Sequence, residues 1–301
     1  MDPGIFSSGE FFSVACALVW AIATILFRKG GEHVPPVALN LFKDAVGLVL
    51  FLVTLPIIGV RLLDPSHPPS DWAILLASGA LGIGIADSLF FAALNRLGAG
   101  RLSIVASLYS PAVVVFAFLY LGEPLGLAIV SGAALMMGAV VVGTWEPART
   151  AARADRKMLA EGVALGLVSV TFMAAGIVLA KPVLNTADPW WAATVRLIGG
   201  TALLCLQALT RQNRGSVRAC FTPNASWRFT VPAAFIGAYV AMIMWVVGFK
   251  YTSAGIAGVL NQTNVIFALI LGALFLGEPV TLRKVLAVVL AFAGAAAAMW
   301  K

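Results

Sequence analysis

Charge is scarce in this chain. Only 11% of its 301 residues are Asp, Glu, Lys or Arg, while 61% are hydrophobic and the mean hydropathy is +0.97. So few charges cannot hydrate the surface of a soluble domain, so the composition indicates an integral membrane protein. Histidine is scarcer still, with His33 and His67 isolated in polar connections. Of three cysteines, Cys16 and Cys205 lie in apolar runs and Cys220 stands alone in a loop. Without CxxC spacing, neighbouring His or clustered acids, neither a disulfide framework nor a zinc site is indicated. No cofactor or metal is expected, and the chain does not read as an intramembrane enzyme such as a lipid-modifying transferase. The net charge of +7 comes from basic residues placed singly or in small groups between apolar runs, which is the pattern of membrane loops and not of a nucleic-acid surface. Residues 1–10 hold no Lys or Arg, so the basic start of a cleavable signal peptide is missing and the first span is expected to be retained.

What the sequence has in abundance is apolar runs. A helical span needs roughly 20 mostly apolar residues, and ten stretches qualify: 11–27, 37–58, 72–94, 102–121, 125–145, 162–180, 190–209, 229–249, 254–276 and 282–300. Connections such as Gly98-Ala99-Gly100 are short enough to make consecutive spans antiparallel neighbours. The hinge Gly122-Glu123-Pro124 returns as Gly277-Glu278-Pro279, an offset of 155, and that offset also pairs Trp72 with Trp227, Gly82 with Gly237 and Trp145 with Trp300. Upstream, small loop changes bring Pro36 onto Pro189 and Lys43 onto Arg196. The chain therefore divides into a first repeat (1–146), a linker (147–160) and a second repeat (161–301). Five spans per repeat is an odd number, so the second repeat enters the membrane inverted. The expected fold is an all-α integral membrane protein of ten transmembrane helices in two inverted five-helix repeats, a construction recurrent among secondary transporters.

Several polar residues interrupt these runs. Lys43-Asp44 and Arg196 lie inside their spans, where charge needs a partner, a cavity or a route to the interface. Residues adjacent on a helix point about 100° apart, so Lys43 and Asp44 are expected not to pair face to face. The two bases either snorkel to the headgroups or attract an anionic group or Asp87. Asp87 is deep in the third span, suited to proton coupling or cation binding, or else to a structural salt bridge with Lys43 or Arg196. Asn261-Gln262-Thr263-Asn264 interrupts the ninth span, and its repeat counterparts are Ala106-Ser107-Leu108-Tyr109, followed by Ser110-Pro111. Corresponding breaks in two repeat-related helices mark a binding site better than they mark interhelical hydrogen-bond glue. Ser107, Tyr109, Asn261, Gln262 and Asn264 are thus expected to line it, with Trp20, Phe90, Phe91, Tyr239, Met242 and Trp245 as possible walls. Trp72, Trp190, Trp191, Trp227 and Trp300 read as interfacial belt residues. Glu123 and Glu278 read as caps on the helices that their prolines begin, and Gly79, Gly82, Gly84, Gly132, Gly138 and Gly294 as close-packing positions.

The ordered set of features resembles the EamA family of the drug/metabolite transporter superfamily: Leu18-Val19-Trp20, the early bases Lys43 and Arg196, Phe91-Ala92-Ala93-Leu94 leading to Gly98-Ala99, and both Gly-Glu-Pro hinges before Gly/Ala-rich spans. The resemblance covers nearly the whole chain. It implies a multi-pass protein of the cell inner membrane with a cavity between the repeats, exporting or exchanging amino acids or other small metabolites, often driven by protons. A passive channel is the alternative. The partners expected are a small-molecule substrate and the lipid bilayer, with monomer and homodimer both open. Cytoplasmic termini are also implied, whereas loop charges point the other way: fourteen basic residues follow odd-numbered spans and four lie opposite.

Overall fold

The computed structural model describes residues 8–31, 36–97, 102, 105–144, 156–209, 214–276 and 281–300, and no strand occurs among them. The second hinge, residues 98–100 and the linker up to 155 lie outside these residues. Apolar sequence in lipid must satisfy its own backbone, and a helix does so within one segment. The elements are α1 (Ser8–Gly31), α2 (Pro36–Ile57), α3 (69–97), α4 (Tyr109–Leu121), α5 (Leu127–Thr144), α6 (Arg156–Thr186), α7 (Pro189–Ala208), the short α8 (Arg214–Phe221), α9 (Trp227–Tyr251), α10 (254–276) and α11 (Leu282–Met299). Eight helical segments among the described residues are long and apolar enough to cross a membrane, and Tyr109–Leu121 and Leu127–Val142 are shorter apolar helices. The sixth apolar run extends beyond its expected bounds: its helix takes in 31 residues, from Arg156 to Thr186, and continues through Pro182.

The repeat is written into the backbone. α3 widens to a π-helix over Ala80–Ile85, and α9 does the same over Phe235–Ala241, at the same offset of 155 (Ala80 to Phe235). Helix packing follows the same exchange. α1 lies along α9 as α6 lies along α3, α1 meets α10 as α6 meets α4, and α2 pairs with α7 and α5 with α11. One large core joins α2, α3, α4, α6, α7 and α9 around Phe51, Leu75, Trp191 and Phe249, and a second joins α5, α10 and α11 around Met136, Leu260 and Ala291. Val49, Phe118, Leu127, Leu274, Val289 and Phe292 point outward, as expected where lipid replaces water.

Small residues set the closest contacts. Gly79 lies directly against the backbone carbonyl of Arg196, leaving no room for a Cβ, and Gly132 and Gly294 face each other across the α5–α11 contact. Gly138 does not belong with them, since no atom lies within 4 Å of where its Cβ would stand. At the first hinge Gly122 is left-handed (φ 68°), the conformation that ends a helix without side-chain strain.

Candidate functional site

Three groups of the expected residues occupy the interior. In the first, Lys43 Nζ stands 3.3 Å from Asp44 Oδ1 and 3.4 Å from Asp87 Oδ2, with the Trp20 ring centroid at 5.5 Å. The expectation that Lys43 and Asp44 would not pair is therefore corrected: four methylenes let the ammonium curl back to a carboxylate that leaves the helix in another direction. Nor does Lys43 snorkel, being buried in the bundle. Asp44 is fully buried, whereas the Asp87 side chain keeps 22% exposure. One cation here faces two acids, so the group carries either a net negative charge or an extra proton.

The second group surrounds Arg196. Its side chain turns into the core, 1% exposed, where NH1 donates to Ser78 Oγ at 2.5 Å. The Trp245 ring lies 4.9 Å from its Cζ, Nε has no hydrogen bond, and no carboxylate among the described residues comes within ion-pair distance. Tyr109 sets a buried hydroxyl near the Arg196 guanidinium, with the Trp245 side chain as its polar neighbour beyond ordinary hydrogen-bond geometry. Ser78 also donates to Gly176 O on α6. Sequence reasoning missed this serine. A hydroxyl in an apolar run near Gly79 and Gly82 was visible, but its 118-residue separation from Arg196 hid the pairing.

The third group joins the two broken spans. Gln262 interrupts α10 between Ala254–Asn261 and Thr263–Leu276, and Ser107 and Leu108 form the equivalent turn before α4. A broken helix leaves carbonyls unpaired, and in hydrocarbon these must find donors. Gln262 Nε2 supplies them, donating to Ala106 O at 2.9 Å and Ser107 O at 3.3 Å. Gln262 is thus a cross-link between the repeats. Asn261 Nδ2 turns back to Ala257 O at 2.8 Å, and Asn264 keeps a buried Oδ1 without a partner. Tyr239 is held elsewhere, its hydroxyl 2.6 Å from Thr54 Oγ1 and its ring against Phe51 and Trp190. The Phe91 side chain lies outside the described ones. Trp191 is corrected from belt to core: fully buried, it donates to Leu62 O at 2.9 Å and stacks on His67.

At the end of the bundle where α1 begins, polar residues tie helix termini together. Glu123 accepts from Ala254 N at 2.8 Å and Gly255 N at 3.1 Å. It is a cap, as expected, but of α10 in the other repeat and not of the helix that Pro124 begins; the left-handed Gly122 turns the chain so that the carboxylate reaches across. Lys181 Nζ donates to Phe249 O and Thr252 O at the end of α9, a cation at a helix C-terminus. Thr252 Oγ1 reaches Glu10 Oε1 at 3.0 Å.

Comparison with known proteins gives the family of the chain as a whole. The model of the EamA-like transporter family matches twice, over residues 7–145 and 160–300. The uncharacterized transporter YvbV of Bacillus subtilis is 26% identical over 271 residues, covering 88% of this chain and 83% of its own. Protein PecM of Dickeya dadantii is 27% identical, covering 81% and 80%, and an uncharacterized transporter of Archaeoglobus fulgidus is 24% identical, covering 91% of each. One crystal structure shares the fold at a TM-score of 0.80 with 20% identity, over 97% of this chain and 96% of that one.

Proposed function

The chain belongs to the EamA-like transporter family, and from that premise we propose a secondary-active transporter that exports or exchanges amino acids or other small metabolites by alternating access. Its ten spans form two inverted five-helix repeats, 1–146 and 161–301, that rock about the bundle centre in the cell inner membrane. The observation that carries this reading is the placement of charge. Lys43, Asp44 and Arg196 are buried in an apolar bundle, with Asp87 beside them, and Gln262 joins the two broken spans of the same bundle. Intramembrane ionisable groups are costly to bury and mark solute or proton pathways.

Asp87 has the role of exchangeable acid. It shares Lys43 with Asp44 and is the more exposed of the two, so a proton reaches it first. A proton arriving at Asp87 releases Lys43 to Asp44 alone, which changes the α2–α3 contact and with it the relation of the repeats. Purified protein in proteoliposomes is expected to show saturable counterflow of a substrate amino acid, with net flux stimulated by a pH gradient. Asp87→Asn should keep counterflow and lose the stimulation. A non-saturable leak would replace the carrier by a channel, and gradient-driven flux untouched by Asp87→Asn would remove the coupling role.

A further inference from the structure

The two bases at matching places in the repeats have opposite surroundings. Lys43 has Asp44 and Asp87, but the counterparts of those acids beside Arg196 are Leu197 and Met242. Among the described residues, the second repeat thus buries a cation and supplies no anion for it. Its guanidinium is 1% exposed and uses one hydrogen-bond partner, Ser78, of the several that its planar fork can take. Nε has no hydrogen-bond partner, the Tyr109 hydroxyl lies near the guanidinium with Trp245 as its polar neighbour beyond ordinary hydrogen-bond geometry, and the Trp245 ring lies 4.9 Å from Cζ. Gly82 leaves bare backbone beside NH2, where a Cβ would stand 3.7 Å away. A buried ion without a counter-ion is retained against a large desolvation cost, and the unmet Nε and the Tyr109 hydroxyl belong to neighbouring side chains.

We propose that Arg196, Tyr109 and Trp245 form a subsite for a carboxylate borne by the transported molecule, so that the substrate class is carboxylic acids, α-amino acids among them, and excludes neutral and purely cationic solutes. The carboxylate takes two side-by-side guanidinium N–H groups and the Tyr109 O–H, and it supplies the charge that the protein omits. A single guanidinium matches a monoanion, which separates a carboxylate from a phosphate dianion. This inference rests on the transporter reading of the same bundle.

Thermal unfolding of the purified full-length protein in detergent tests it, with L-phenylalanine and phenylacetate as probes against L-phenylalaninamide, phenylacetamide and inorganic phosphate. The acids should raise the unfolding temperature of the wild type, and the amides and phosphate should not. Arg196→Met should weaken the acid effect by about thirtyfold or more, yet unfold without ligand at the wild-type temperature or above it, because an uncompensated charge has been replaced by an apolar chain. Tyr109→Phe, which removes one oxygen, should weaken the acids several-fold and leave the fold intact; it decides the matter if the Arg196 variant does not fold. Amides matching acids, no acid acting on the wild type, acids acting equally on Arg196→Met, or Tyr109→Phe indistinguishable from wild type would each overturn the subsite. Counterflow of an amide that survives Arg196→Met refutes the subsite and leaves the transporter. Acid binding lost in Arg196→Met without counterflow of any acid refutes the transporter and leaves the subsite.

Discussion

Replacing Glu123 should destabilise the start of a helix 131 residues away. Its two carboxylate oxygens accept from Ala254 N at 2.8 Å and Gly255 N at 3.1 Å, while Ser253 Oγ accepts from Ile256 N at 3.3 Å. Three of the first N–H groups of α10 are therefore met by side chains, two of them from the other repeat. Hydrogen bonds to a charged acceptor contribute about 1.5–3 kcal/mol each, and the carboxylate adds up to about 1 kcal/mol with the helix dipole. Water reaches this end of the bundle and replaces part of what is lost. Glu123→Ala should therefore cost about 3 kcal/mol, Glu123→Gln about 1–2 kcal/mol because it keeps one acceptor, and Ser253→Ala about 1 kcal/mol as the loss of one neutral cap. Tryptophan fluorescence during thermal unfolding in detergent should rank the variants in that order. The double variant Glu123→Ala/Ser253→Ala separates the two possible roles of the acid. If both side chains serve the same helix end, their effects should fall short of additivity by about 0.5 kcal/mol or more. Strict additivity would place Glu123 on the helix that follows it and refute the inter-repeat cap.

Two further outcomes follow from local geometry. Gly79→Ala drives a methyl into the Arg196 carbonyl and should abolish folded, monodisperse protein, whereas Gly82→Ala, with its nearest neighbour at 3.7 Å, and Gly138→Ala, with none within 4 Å, should unfold within a few degrees of wild type; size-exclusion profiles of the three distinguish them. The Cys220 thiol, buried on α8 against Phe42 and Trp227, is pushed up from the usual thiol range by desolvation. Thiolate is the reactive form, so at about pH 8, near the ordinary thiol pKa, maleimide should label Cys220 more slowly than the unfolded chain, and the folded rate should keep climbing at a pH where the unfolded rate levels off. Peptide mass spectrometry reads this directly, and equal rates in both states would contradict the burial.

How much of this was legible beforehand depends on the range of the forces involved. Hydrophobic runs, Gly-Glu-Pro hinges and isolated intramembrane charges are local signals, because a helix satisfies its backbone within its own segment and lipid demands length and apolarity of each span separately. The multi-pass helical class and the twofold repeat followed from the chain alone, and with them the places where chemistry could lie. The matched π-helical stretches at Ala80 and Phe235 could not be read so, since one extra residue per turn leaves no mark in composition. Partner choice was equally hidden. Whether Asp87 met Lys43 or Arg196, whether Glu123 capped its own helix or α10, and whether Gln262 lined a cavity or held Ala106 and Ser107 all turned on which helices are neighbours across the repeats. A side chain chooses its partner from whatever lies within a few ångströms, and that set exists only after the helices have packed. The sequence by itself determined that Arg196 would be a charge inside the membrane; only the tertiary structure decided that it would have no counter-ion among the described residues.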